Sequence, residues 1–181
     1  MLGIDVSEAA VVYARSRYAR DNVEFRAGDV QALDVPDASF DGVAAFEAIE
    51  HLREPEAFLG EARRVLRPAG VLLVSTPRAE ATTHRPDNPF HEVELSRADF
   101  EDLLKRYFAR VELLGQRRRQ TVRHRAMQRV DVLGLRRRLG FLRPAARVLG
   151  TPPTTDMTLE DIELSAAAAA DADVLVAICR T

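Results

Sequence analysis

One lysine, Lys105, and one cysteine, Cys179, stand in a chain of 181 residues. A lone cysteine rules out an internal disulfide, which makes a reducing cytoplasm the natural compartment. No Lys or Arg precedes Arg15, while Asp5 and Glu8 do, so the start lacks the positive charge of a secretory signal. Apolar runs such as Val71 to Val74 fall far short of the roughly 20 residues that a bilayer requires, so no membrane span is expected. Charge of one sign is also lacking overall, with 26 Lys and Arg against 28 Asp and Glu and a net of -2. At 46% hydrophobic residues the chain is too apolar for a disordered tail. These features fit one soluble globular domain.

The near-neutral total hides a local imbalance. Arg117 to Arg147 contains a concentration of arginines and only one acid, Asp131. Such a field can follow phosphates or anionic lipid, and it can equally solvate an exposed face while the arginine stems cover apolar surface. The Ala166 to Ala170 run, with lysine nearly absent, reads as codon bias. No internal repeat is present, and Pro152-Pro153 is the expected joint.

Strand and helix alternate along the first half. Leu2 to Val6 reads as a strand, and Ser7 then caps a helix with Val11, Ala14 and Tyr18 on one face. Val23 to Ala27 is a second strand and Asp41 to Phe46 a third, separated by a loop marked by Pro36, Asp37 and Ser39. Pro55 opens a helix whose Phe58, Leu59, Ala62, Val65 and Leu66 form one stripe, ended by Pro68 and Gly70. Val71 to Ser75 has the pattern of a strand buried on both faces. After an irregular stretch from Pro77 to Leu95, Ser96 and Asp99 have capping-box spacing for a helix with Phe100, Leu103, Leu104 and Phe108 inward. Val111 to Leu114 and Val174 to Ile178 complete the strands. The order predicts an α/β fold, a mostly parallel sheet with helices on both faces.

Ligands of open parallel sheets bind beyond the carboxyl ends of the strands. Acids stand there three times: Asp5, Asp29 and Glu47. An acid after the first strand can accept hydrogen bonds from ribose hydroxyls, and one after the second can accept from an adenine amine.

The segments Gly3-Ile4-Asp5-Val6-Ser7, Ala27-Gly28-Asp29-Val30, Ser39-Phe40-Asp41-Gly42-Val43, Glu50-His51-Leu52 and Arg64 to Pro77 together resemble class I S-adenosylmethionine-dependent methyltransferases of the ubiquinone-biosynthesis type. The resemblance runs from Leu2 to about Gln116, with Val174 to Arg180 as the closing strand. It implies a Rossmann-like fold and S-adenosylmethionine as cofactor, bound through Asp5, Val6, Asp29, Val30, Phe46 and Glu47. The family's first, central strand and Gly-rich turn would precede Leu2. The expectation is therefore a single, N-terminally incomplete domain over residues 1–181, with a core gap, a half-built pocket and a basic insertion at about 117–150.

Glu47, Glu50 and His51 form E-x-x-E-H, which a helical turn would gather on one side. Two carboxylates and an imidazole are credible ligands for a divalent cation such as Mg2+. The segment from His91 to Phe100 is similar to one that supplies a further histidine ligand in metal-dependent small-RNA 2'-O-methyltransferases. Glu50, His51 and His91 are thus the candidate catalytic residues, and Glu47, Glu50, His51 and His91 the candidate metal ligands. The metal-free reading, in which the Glu-His pair orders the loop or acts as a base, stays open. His84 and His124 receive no role, and Cys179 is expected to be a buried small hydrophobe.

The leading expectation is O-methylation of a small-molecule or sugar-like acceptor. An RNA 2'-hydroxyl is the alternative, with Arg117 to Arg147 following the phosphates, although no aromatic residue lies between Arg117 and Arg138 to stack bases. A non-catalytic module that docks a partner is the third reading.

Overall fold

The computed structural model describes residues 1–118 and 162–181. Strand β1 (Leu2–Asp5) leads into helix α1 (Glu8–Tyr18), and β2 (Glu24–Ala27) returns parallel to β1. The Ser7 hydroxyl accepts the Ala10 amide at 3.2 Å, the cap its position predicts. The face expected to turn inward is only partly covered, since Val11 is buried but Tyr18 is 53% exposed, with Val12 and Tyr13 exposed beside it. Two strands make too narrow a floor for an eleven-residue helix.

The remaining strands form a separate five-stranded sheet in the order β3-β4-β7-β5-β6. β3 (Phe40–Ala45) and β4 (Leu66–Pro77) are parallel, whereas β7 (Val174–Arg180) runs antiparallel to both β4 and β5 (Arg110–Arg118). β6 (Ile162–Ser165) adds an antiparallel edge that the sequence pattern did not suggest. The sheet is therefore mixed within an α/β fold. Among the described residues, β1 and β3 each have a hydrogen-bonded neighbour on one side only.

The core forms where the expected apolar stripes meet. Helix α2 (Pro55–Val65) contributes Phe58, Leu59 and Ala62, and α3 (Arg97–Lys105) contributes Phe100, Leu103 and Leu104. They join Leu72 and Val74 of β4 and Leu175, Ala177 and Cys179 of β7 in one buried cluster. Each Phe, Leu or Val side chain among them stabilises the fold by about 1.5–3 kcal/mol relative to exposure. The capping box is present, the Ser96 hydroxyl accepting the Asp99 amide at 3.2 Å while donating to the Asp99 carboxylate at 2.7 Å.

The Ala166 to Ala170 run is structural. Ala167–Ala170 forms a 3-10 turn with Ala168 and Ala169 buried, and it crosses β5 at Gly115. Small side chains there let two backbones touch, a role that composition alone conceals. The loop after β2 is fastened to α2 by Arg64, which donates to the carbonyls of Leu33 and Val35 and to Glu61 and Asp37.

Burial pushes the Cys179 thiol up to about 12. The thiol is the nucleophile only when ionised. Native protein at pH 8 is therefore expected to leave Ellman's reagent uncoloured, with one thiol released by denaturant; prompt native reaction would contradict the packing of β7. Among the described residues, no helix is long and apolar enough to cross a membrane.

Candidate active site

Asp5 and Asp29 come together because β1 and β2 are parallel and in register, Asp5 opposite Ala27. The Gly28 amide donates to the Asp5 carbonyl at 3.0 Å, which ties the end of β2 to the end of β1. One oxygen of each carboxylate is engaged locally, Asp5 Oδ1 accepting the Ser7 amide and Asp29 Oδ1 accepting the Gln31 amide, both at 2.8 Å. Both aspartates are exposed, and their second oxygens have no hydrogen-bond partner among the described residues. Val6 is 81% exposed and Phe46 58% exposed, while Val30 is half-buried against the main core.

Glu47, two residues past the end of β3, lies in the left-handed region, at φ 49°. Ser75 holds it there: its hydroxyl accepts the Glu47 amide at 3.0 Å and donates to Glu47 Oε1 at 2.7 Å. A non-glycine residue in that region stores strain that its surroundings must offset. The chain then enters the 3-10 turn Ile49–His51, which takes in Glu50 and His51 of the E-x-x-E-H motif but begins after Glu47.

The turn gathers Glu50 and His51, and the loop before α3 brings His91. One donor atom from each lies within 4.8 Å of the others. The His51 and His91 rings meet edge to face at 4.9 Å and 81°. Glu47 falls outside this trio because its carboxylate is turned to Ser75, so the four expected metal ligands divide into three and one. The loop is bound to the turn by backbone, the amides of Glu92 and Val93 donating to the Glu50 carbonyl at 2.8 and 3.2 Å.

Hydrogen bonds define the imidazole faces. His51 Nδ1 lies 2.7 Å from the Phe90 carbonyl, which can only accept, so Nδ1 carries the proton and Nε2 of the neutral ring presents a lone pair. His91 Nδ1 donates to Glu94 at 2.8 Å, and its Nε2 accepts from the Asn88 amide at 2.8 Å. A carboxylate or carbonyl on Nδ1 is the arrangement that orients histidine ligands and bases. Asn88, Glu94, Ser75 and Thr76 escaped the sequence reading; Ser75 and Thr76 act through contacts across the fold, whereas Asn88 and Glu94, each three residues from His91, offered a local signal.

Glu50 is 1% exposed and its Oε2 has no hydrogen-bond partner among the described residues. The Thr76 hydroxyl, also buried without a partner, adjoins it. Burial is the first cause that raises the Glu50 pKa above 4.5, and the Glu47 charge adds to it. A raised carboxyl contributes stability that is complete below its unfolded pKa and is lost as pH climbs through the folded value. Glu50→Gln is thus expected to gain thermal midpoint relative to wild type as pH rises above 4.5 and to match wild type near pH 4. A difference between the two midpoints that is no larger at pH 7 than at pH 4 would contradict this.

The basic stretch 117–147 lies outside the described residues apart from its first two. Arg117 pairs with Glu163 at 3.0 Å and Asp171 at 2.7 Å, which places it in the fold. His124 also lies outside the described residues. His84 lines an open groove of about 710 Å3 between the start of α2 and α3.

Residues 1–74 match the family model described as a methyltransferase domain. A Mycolicibacterium smegmatis protein named a probable S-adenosylmethionine-dependent methyltransferase is 46% identical over 108 residues, 58% of this chain and 41% of its own length. A Mycobacterium tuberculosis protein of the same description is 43% identical over 107 residues, 58% of this chain and 38% of its own length. The fatty-acid O-methyltransferase of M. smegmatis is 34% identical over 104 residues, 58% of this chain and 36% of that protein. The chain thus spans about two fifths of the length of these curated relatives. Among solved structures, a Thermotoga maritima S-adenosylmethionine-dependent methyltransferase superposes with a TM-score of 0.64 at 17% identity, over 98% of this chain and 72% of that one. That likeness is one of fold.

Proposed function

We propose that this chain belongs to the class I S-adenosylmethionine-dependent methyltransferases and takes part in methyl transfer to an oxygen of a small-molecule acceptor. The observation that carries this reading is the pairing of two half-sites. Asp5 and Asp29 offer unpaired carboxylate oxygens at adjacent strand ends, and Glu50, His51 and His91 are gathered beyond the next strand.

The residues present fit the nucleoside part of the cofactor. Asp5 would accept from the ribose hydroxyls and Asp29 from the adenine amine, with Val6, Val30 and Phe46 supplying apolar surface. When bound, S-adenosylmethionine supplies an electrophilic methyl group on a sulfonium. The protein's own part is to position the acceptor, exclude water and take up the proton that the hydroxyl releases. His51 Nε2 is the atom set to take that proton, because Nδ1 is committed to the Phe90 carbonyl.

The same trio would also suit a divalent cation, a reading supported by the buried Glu50 Oε2, which has no hydrogen-bond partner among the described residues. Asn88 would have to release His91 Nε2 first. Two imidazoles and one carboxylate suit a borderline ion such as Mn2+ or Zn2+ better than Mg2+, which prefers oxygen. A cation there would hold the acceptor hydroxyl and lower its pKa.

Incubation of the protein with methyl-labelled S-adenosylmethionine and hydroxylated acceptors, followed by mass spectrometry, tests the acceptor atom. Label on oxygen, with S-adenosylhomocysteine formed in equal amount, is the expected result. Label confined to nitrogen or carbon would overturn the oxygen assignment.

A further inference from the structure

We infer that Asn88 is a positioning residue that latches His91 against a cation and leaves His51 as the open imidazole of the site, an inference that rests on the methyl-transfer reading where it gives His51 the acceptor's proton. The latch is built into a tight turn. Asn88-Pro89-Phe90-His91 closes with the His91 amide donating to the Asn88 carbonyl at 3.1 Å, and Pro89 brings the fixed φ that the second position of such a turn favours. The Asn88 side chain repeats the turn alongside, its Oδ1 accepting the Phe90 amide at 3.1 Å.

A backbone N–H can only donate, so that bond fixes which end of the Asn88 amide is oxygen. Nδ2 is thereby turned to His91 Nε2, 2.8 Å away, and donates to it. His91 Nδ1 donates in turn to Glu94 at 2.8 Å, so both nitrogens of a ring only 11% exposed are filled. The same turn delivers the Phe90 carbonyl to His51 Nδ1 at 2.7 Å, while the Phe90 ring stays exposed. Of the four imidazole nitrogens, His51 Nε2 alone has no hydrogen-bond partner among the described residues. Asn88 thus divides the work between two adjacent histidines. Asn88→Ser separates the latch from the turn. Its hydroxyl can still accept the Phe90 amide, the weaker form of the same turn, but is one atom short of His91. His91 then regains a free lone pair beside Glu50 and His51, one donor atom of each lying within 4.8 Å of the others.

The probe is Co2+, a borderline ion that takes imidazole and carboxylate ligands and whose visible absorption changes on binding them. It is titrated into the full chain for wild type, Asn88→Ser and Asn88→Ser/His91→Ala. The expected result is binding that Asn88→Ser tightens about fivefold, the worth of a hydrogen bond that no longer has to be broken, with the gain lost once His91 is also removed. Long-range 1H–15N spectra of wild type are expected to show both rings as Nδ1–H tautomers, and the His91 Nε2 resonance is expected to move in Asn88→Ser as its donor goes. Asn88 is exposed, which makes a folding defect avoidable, and matching thermal melts of the variants confirm that. Equal Co2+ affinity in wild type and Asn88→Ser, a gain that survives the loss of His91, no Co2+ binding by any of these proteins, or an Nε2–H tautomer of His91 in wild type would each overturn the inference. Calorimetric binding of S-adenosylhomocysteine is read separately, so its failure marks the failure of the methyl-transfer reading and its success alongside a failed Co2+ titration marks the failure of this inference alone.

Discussion

Gly115→Ala is expected to lower the thermal midpoint by roughly 10 °C, the equivalent of about 3 kcal/mol in a chain of this size. A Cβ on Gly115 would lie 2.3 Å from the Ala168 carbonyl carbon and 2.4 Å from both its oxygen and the Ala169 nitrogen. These are backbone atoms, so no rotamer change relieves the contact. The 3-10 turn Ala167–Ala170 would have to lift from β5, exposing Ala168 and Ala169 and pulling on β6 and β7 at either end. Gly60→Ala is the matched control. It lies within α2, where the nearest atom to an added Cβ is a Tyr107 ring carbon at 4.0 Å. Exchange of glycine for alanine in an open helical position stabilises by about 0.5–1 kcal/mol. Opposite shifts in the two melting curves are therefore expected, and a Gly115→Ala protein that melts like wild type would refute the packing of the alanine turn on β5.

His51→Ala is expected to reduce methyl transfer by about 10²–10⁴-fold, the usual worth of a positioned acid or base. The effect should fall on turnover, with S-adenosylhomocysteine affinity preserved, because the proposal assigns His51 to the acceptor half of the site and Asp5 and Asp29 to the cofactor half. His91→Ala should cost less, since its two nitrogens are engaged by Glu94 and Asn88 in this structure. A His51→Ala protein with full activity would remove the proton-accepting role. Equal, severe losses on His51→Ala and His91→Ala that Mn2+ concentration modulates in wild type would assign the trio to a cation instead.

Much of the fold is legible in the chain because its signals are local. Ser7, Pro55 and Ser96 mark helix starts through hydrogen bonds, or a missing amide, within one turn. The stripe Phe58, Leu59, Ala62 and Val65 needs only a period near 3.6 to be seen. What escaped depends on contacts across the sequence. The reversal of β7 between β4 and β5 leaves no trace in its apolar pattern, which suits either direction. Tyr18 is exposed because the sheet beneath α1 has two strands, a property of topology and not of the helix. In the site, the spacing of Glu50 and His51 correctly places both on one turn. Glu47 follows a different course because Ser75, 28 residues away, captures it. The tautomers of His51 and His91, and the exposed, fixed position of Phe90, likewise follow from partners that only the folded loop supplies.

The central claim is that Asp5 and Asp29 form one half of a nucleoside site joined to an acceptor site at Glu50, His51 and His91. Calorimetric titration of S-adenosylhomocysteine into the 181-residue chain, repeated with Asp29→Ala, tests it most directly. The account predicts one-to-one binding that the substitution weakens by about 10–100-fold, the loss of a charge-assisted hydrogen bond. No heat of binding to the folded chain, or an affinity that Asp29→Ala leaves unchanged, would contradict it.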